Sequence, residues 1–413
     1  MPESWPAPFA RTGKRLGLAV LAFVVVTIVV VTLDPFHFRV PRHFRLTWWD
    51  GWFDVAANIA LFTVPGFLFA FARQAVRGPE GDARYRRSTL RQALLCGIAL
   101  SATIEFVQLF EPARYSSLTD VATNAIGALL GAALFLRVAN TLRADSPLIG
   151  MFALEMPLMG LVYLLVPLTL LASLTLPHGV GTATAPGTLS LLALALFLGV
   201  LLGHVQRYRL GPGALARPTR TAAVAGLGFG VCVLPIAPYH PIVLVLGAAI
   251  AMATTWFFGG SRFGGSIHAD RRFEAAALRR AAPCFLGYLV LTALASPASA
   301  RLSKVLILGD VESIAAFTVL GFLLAEWMGR REFRFRIAAG IVAALCMATA
   351  IGLLAVQHPA HLTLGALAGL VIRAVSGAYG GWIYHLQRAH IQALVNAQRA
   401  RSRSEPVRMP AAA

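Results

Sequence analysis

The stretch Leu16–Leu33, LGLAVLAFVVVTIVVVTL, decides the fold. It carries no charge, and at about 1.5 Å per helical residue it is long enough to cross most of a hydrocarbon core about 30 Å thick. No water in that core can serve the backbone, so the run must satisfy its own amides and carbonyls as a helix. Arg11, Lys14 and Arg15 precede it and Asp34 follows. Without a small-residue cleavage site before Asp34, it reads as a retained first helix rather than a leader.

Similar apolar runs recur along the chain. They predict spans at 16–33, 54–71, 91–110, 120–137, 149–176, 189–206, 221–236, 240–258, 282–298, 312–328, 335–356 and 364–385. The fold class expected is all-α, a polytopic helical membrane protein of about 12 transmembrane helices. Pro235, Pro238 and Pro241 leave 221–258 open between two spans and a re-entrant hairpin. Composition agrees: 57% of the 413 residues are hydrophobic and 13% charged, too little polar surface for a soluble chain of this length. The alternation of a membrane barrel is absent.

Charge sets the orientation. The formal net charge is +18, from 36 Lys and Arg against 18 Asp and Glu. With the N-terminus inside, the outer loops hold only Arg39, Arg42, Arg45, Arg114, Arg301 and Lys304, and Arg373 falls within a span. The rest lie on inner segments, densest at Arg73–Arg91, Arg207–Arg220, Arg262–Arg280 and in the tail beyond Arg388. This follows the positive-inside rule and predicts both termini inside. The excess therefore reads as contact with anionic membrane lipid, not nucleic acid. Cys96, Cys232, Cys284 and Cys346 lie in apolar runs and form no CxxC pair, so neither disulfide nor zinc chemistry is expected. His178, His240, His358 and His361 share the outer side without zinc spacing, and no metal or cofactor is predicted. No P-loop, GxSxG or HExxH motif is present.

An internal echo divides the chain. Ala60–Ala70 reads ALFTVPGFLFA and Ala315–Ala325 reads AAFTVLGFLLA, while Glu111-Pro112-Ala113-Arg114 is echoed by His358-Pro359-Ala360-His361. The expected units are a four-helix domain at 16–140, a middle region at 149–258, a possible degenerate repeat at 282–385 and a basic cytoplasmic tail at 386–413. Both copies enter their second helix from outside, making the repeat parallel. Ser313 and Leu320 stand where the first copy has Asn58 and Pro65; without gaps, Gly352 and Leu367 stand opposite Glu105 and Asp120.

Ionisable groups inside spans demand an explanation. Asp54 and Asn58 share one face at the outer start of the second span; Glu105 and Gln108 lie near the outer end of the third. Asp120 and Asn124 repeat the four-residue spacing in the fourth, followed by Gly127 and Gly131, and Arg114 lies in the connecting loop. All converge on the outer side. Singly, each has a structural explanation: Asp54 and Asp120 as helix N-terminal carboxylates, the amides as interhelical hydrogen bonds, the glycines as close packing, Arg114 as a solvated loop charge. Together they can bind a cation or polar head group, relay protons, or act as acid and base. The sequence leaves these open. Elsewhere, Glu155 and His204 lie near inner helix ends where they can reach water. Arg373, near mid-membrane, needs a partner, for which Glu312 and Glu326 fit poorly in depth.

The ordered set Asp54-x3-Asn58, Phe62-x2-Pro65-Gly66, Glu105-x2-Gln108, Arg114 and Asp120-x3-Asn124-x2-Gly127-x3-Gly131 resembles the VanZ-like family over about residues 20–140. These are small multi-helix membrane proteins of bacteria, named for a member associated with low-level teicoplanin resistance. The resemblance implies a multi-pass protein of the bacterial cytoplasmic (inner) membrane, linked to the cell envelope or glycopeptide tolerance. It makes Asp54, Asn58, Glu105, Gln108, Arg114, Asp120 and Asn124 the expected ligand-binding set. The leading expectation is an outward-facing polar pocket engaging an envelope lipid or lipid-linked glycan. A secondary transporter using the carboxylates and a membrane-embedded hydrolase or transferase are the alternatives. No established catalytic motif assigns an enzyme, and the oligomeric state is not legible.

Overall fold

A computed structural model describes residues 7–33, 38–40, 46–48, 51–77, 83–112, 115–141, 158–176, 185–210, 218–259, 271–295, 304–328, 335–357 and 364–404. Among them are twelve α-helices: α1 Ala7–Leu33, α2 Trp52–Arg77, α3 Ala83–Gln108, α4 Leu118–Thr141, α5 Met159–Leu174, α6 Ala185–Leu210, α7 Pro218–Val233, α8 Pro241–Gly259, α9 Arg271–Ala295, α10 Lys304–Met328, α11 Phe335–Gln357 and α12 Leu364–Ser404. Each predicted span falls on one of them. Ten helices are long and apolar enough to cross a membrane. The protein is an all-α polytopic membrane protein.

The open reading at 221–258 takes the form of two helices, α7 and α8, joined by one 3-10 turn at Leu234–Ile236 and a short turn ending at His240. α8, and α7 together with the 3-10 turn (Pro218–Ile236), meet the length and apolarity of a span. The prolines lie in and next to this connection, where a missing amide breaks no helical ladder. For the predicted 149–176 span, the described helix is only Met159–Leu174; residues 149–157 lie outside the described residues. At 16 residues α5 is about 24 Å long, and most of it is buried among α1, α6, α7 and α10. In the opposite direction, α12 runs 41 residues, about 60 Å, carrying helix well into the predicted tail.

Packing groups α1 with α2, and α3 with α4, around a tight α2/α4 pair. Helices α6, α7 and α8 form the middle, and α10, α11 and α12 the last group. Although the sequence places α9 with the last group, it lies chiefly against α6. Large apolar residues such as Leu18, Val26, Leu95, Phe106, Leu130, Val245 and Leu294 face outward. On a membrane protein that surface meets acyl chains, not water. Trp48 and Trp52 are exposed at one end of the first bundle and Trp327 at the far end of α10, as interfacial indoles should be.

Several buried polar groups are matched. Tyr288 donates its hydroxyl to Glu312 Oε1 at 2.6 Å, both groups being buried. Arg373 Nε donates to Ser313 Oγ at 2.8 Å, so its partner is a hydroxyl on α10 and not Glu312. His204 departs from expectation. It is 2% exposed rather than reaching water, stacks on Phe258, and lies 2.7 Å from the Val200 carbonyl through Nδ1. Its Nε2 accepts from Arg280 Nη1 at 3.2 Å, which fixes Nδ1–H as the proton-bearing side of a neutral ring. Arg280 is exposed and links the buried imidazole to the surface. Glu155, His178, His358 and His361 lie outside the described residues.

Candidate functional site

The site lies where α1 and α3 end and α2 and α4 begin. Gly51 takes a φ of 108°, which favours glycine, and turns the chain into α2. Asp54 and Asp120 then fall in the first turns of their helices, where the positive end of the helix dipole favours a carboxylate. Asp54 is exposed and Asp120 half-buried.

Below them α2 and α4 run parallel and nearly touch. Gly127 packs on the carbonyl of Ile59 and Gly131 on that of Thr63, so Asn58 and Asn124 lie within about one turn of the same crossing. Glycine is required here because a side-chain carbon would enter the partner's backbone.

Glu105, Gln108 and Asn124 form the buried part, at 7%, 8% and 5% exposure. Glu105 Oε2 accepts the backbone N–H of Ser117 at 2.8 Å, tying the end of α3 to the segment that starts α4. Gln108 Nε2 donates to the Thr32 carbonyl at 2.7 Å, tying α3 to the end of α1. Asn124 Nδ2 donates to Ser101 Oγ at 2.8 Å, one turn before Glu105 on the same face of α3. Described parts of the two connections meet at this end. Leu46–Thr47 (β1) pairs in parallel with Ser116–Ser117 (β2), the Thr119 hydroxyl donates to the Trp48 carbonyl, and Arg39 N–H donates to the Phe110 carbonyl at 2.8 Å.

The structure thus brings together Glu105, Gln108 and Asn124. Asp54, Asn58 and Asp120 stand at the same end with more exposure, and Arg114 lies outside the described residues. Four contributors were not singled out from sequence: Ser101, Ser117, Thr47 and Glu111. Ser101 carries a findable signal, being four residues before Glu105. Glu111 is a second buried carboxylate, 2% exposed, which the sequence showed only as part of a loop motif. Thr47 has no local signal, since its position depends on two loops pairing across the bundle.

Three buried side-chain atoms at this end of the bundle have no hydrogen-bond partner among the described residues: Thr47 Oγ1, Ser117 Oγ and Asn124 Oδ1. Thr47 and Ser117 are also directly paired in register. Two hydroxyls and one amide carbonyl offer both donors and acceptors beside a carboxylate. The Ser101–Asn124 pair should contribute modestly to stability. A double-mutant cycle of Ser101→Ala and Asn124→Ala, read by thermal unfolding in detergent, should give a coupling of about 0.6 kcal/mol. A coupling of zero would mean that the bond adds nothing to the fold.

Fold and geometry together define the class: a polytopic α-helical membrane protein with a cluster of hydrogen-bonded polar residues at one end of its first four helices. Residues 18–143, spanning those four helices, match the family VanZ/LLP1, and this part of the chain is a VanZ-like domain. No curated protein and no solved structure is similar enough to the chain to count as a match.

Proposed function

We propose that the VanZ-like bundle holds the polar head of an envelope lipid or lipid-linked glycan at its outer end, and through it influences tolerance to glycopeptides. In this reading the protein sits in the bacterial cytoplasmic membrane with both termini inside, as the distribution of Lys and Arg favours. The supporting observation is the trio of buried atoms at this end, Thr47 Oγ1, Ser117 Oγ and Asn124 Oδ1, without partners among the described residues. Each such atom costs about 1–3 kcal/mol when left unsatisfied, so a site that keeps three is poorly explained by stability. A hydroxyl-rich head group supplies donors and acceptors to all three, while its lipid tail stays beside the exposed apolar face of α4.

The test separates binding from folding. Thr47→Val and Ser117→Ala remove hydroxyls that have no partner among the described residues, so the double variant should melt at or above the wild-type temperature. It should nonetheless retain a polyprenyl-linked disaccharide, offered in mixed micelles and read by native mass spectrometry, at least about tenfold less well. Equal retention by wild type and variant would remove the site from consideration. In cells, a single cysteine replacing Trp48 in a protein without other cysteines should react with an impermeant maleimide from outside. Reaction only after permeabilisation would invert the topology and with it the outward reading.

A further inference from the structure

The close approach of α2 and α4 recurs, atom for atom, between α10 and α12. A Cβ added at Gly66 would meet the carbonyl group and Cα of Ala128; one added at Gly321 would meet the same atoms of Gly377. At Gly131 it would meet Thr63 O and Phe67 N, and at Gly380 Thr318 O and Phe322 N. Phe67 and Phe135 meet edge-on at 5.1 Å, and so do Phe322 and Tyr384 at 5.5 Å. Thr63 donates to the Ile59 carbonyl at 2.7 Å, Thr318 to that of Ile314 at 2.8 Å. Every pair obeys one shift from α2 to α10 and another, six residues smaller, from α4 to α12. The second shift also relates α3 to α11: Gly97 abuts Ala128, and Cys346 abuts Gly377.

For α10 this register agrees with the sequence comparison, and for α11 and α12 it differs from it by two residues. It sets Gly369 opposite Asp120, Leu354 opposite Glu105, Ala350 opposite Ser101, Gly309 opposite Asp54 and Ser313 opposite Asn58. Opposite Asn124 it sets Arg373. Each carboxylate of the first site has an apolar or glycine counterpart, and one cation has entered.

The new cation is placed like a ligand-binding group. Arg373 is half-buried, the tenth residue of α12, about 14 Å from the helix start. Its Nε donates to Ser313 Oγ, the residue opposite Asn58, and its guanidinium carbon lies 5.8 Å from the Phe317 ring centre. Ser313 and Phe317 thereby orient the guanidinium, while its two terminal nitrogens have no hydrogen-bond partner among the described residues. Asp310, one turn before Ser313 on α10, is the nearby carboxylate; it is exposed and attracts the Arg373 guanidinium electrostatically, with no hydrogen bond between them among the described residues. Glu312 is engaged by Tyr288 from α9. The end of the molecule is the same as that of the first site. Thr12 meets His390 and Ala19 meets Tyr379, so α12 runs antiparallel to α1 and begins where α1 finishes, beside Thr32 and Gln108.

We propose that α10–α12 are a second copy of the α2–α4 unit, whose site has been rebuilt around Arg373 to bind a phosphate group. A guanidinium with its Nε already tethered presents the terminal nitrogens as a fork suited to phosphate oxygens, and a cation at this depth demands an anionic partner. The site is independent of the ligand assigned to the first bundle.

The full chain, purified in a neutral detergent, is offered phosphatidylglycerol in mixed micelles or inorganic phosphate alone, with binding read by native mass spectrometry and by the rise in melting temperature. Retention by wild type is expected, and Arg373→Gln should lower it at least about tenfold, with Arg373→Lys between the two. Asp310→Asn removes the neighbouring negative charge and should raise retention, a gain that misfolding cannot imitate. Binding of the lipid but not of free phosphate identifies a head group; binding of both identifies phosphate itself. Retention unchanged in Arg373→Gln, or lowered in Asp310→Asn, would overturn the proposal.

Discussion

Gly131→Leu is expected to prevent the first bundle from assembling, giving aggregated or degraded protein instead of a monodisperse species in detergent. A Cβ at this position would overlap the Thr63 carbonyl oxygen and stand 2.8 Å from the Phe67 amide nitrogen. Both are backbone atoms of a neighbouring helix, so no rotamer change relieves the clash. The helices must separate, and they cannot do so at one point only. Gly66 and Gly127 make equivalent backbone contacts one turn away on either side. Overpacking of an ordinary core costs about 1–3 kcal/mol, and a clash that parts two backbones lies at or above the top of that range. It also removes much of the attraction, because helices in lipid associate mainly through van der Waals contact and hydrogen bonds. Gly228→Ala is the control, since a Cβ there meets no atom within 4 Å. Fluorescence-detected size exclusion and thermal unfolding compare the two. A monodisperse Gly131→Leu protein with the wild-type melting temperature would refute the packing account.

The second large effect is expected at Glu105. In Glu105→Ala the Ser117 N–H loses the carboxylate oxygen that accepts it. The unsatisfied donor alone costs about 1–3 kcal/mol, and hydrogen bonds to charged groups lie toward the upper end. The disturbance should spread through the short β1/β2 pairing, because Ser117 is paired with Thr47 in register. Hydrogen exchange of the Ser117 amide should therefore accelerate in the variant while the α2/α4 crossing stays protected. Glu105→Gln keeps an acceptor oxygen and should recover most of the stability. Retention of a lipid-linked glycan should fall in both variants if the carboxylate itself contacts the head group. If Glu105→Gln loses neither stability nor retention, Glu105 acts by shape alone.

Both predictions rest on residues visible in the sequence, but not equally. Gly127 and Gly131 stood out by spacing, and their packing role was one of two readings open for them. Glu105 stood out because a carboxylate in a span is costly. Its partner is a backbone amide twelve residues away, across a turn, and no pattern of side chains announces a backbone donor. Thr47 is further removed still, coming to the site only through the pairing of two loops.

The sequence alone determined that this chain is a bundle of about twelve membrane helices, and that its informative polar residues belong to the first four. Both follow from local quantities, the length of each apolar run and the cost of each charge within it. The tertiary structure decided what those residues do to one another. It joined Glu105 to Ser117 and Asn124 to Ser101, left Asp54 exposed at a helix start, buried His204, and gave Arg373 a hydroxyl in place of a carboxylate. It also drew α9 toward the middle helices. These are matters of register between helices, and register depends on where two backbones can approach. In this protein that is set by pairs such as Gly131 on Thr63, separated by all of α3, parts of α2 and α4 and two connections.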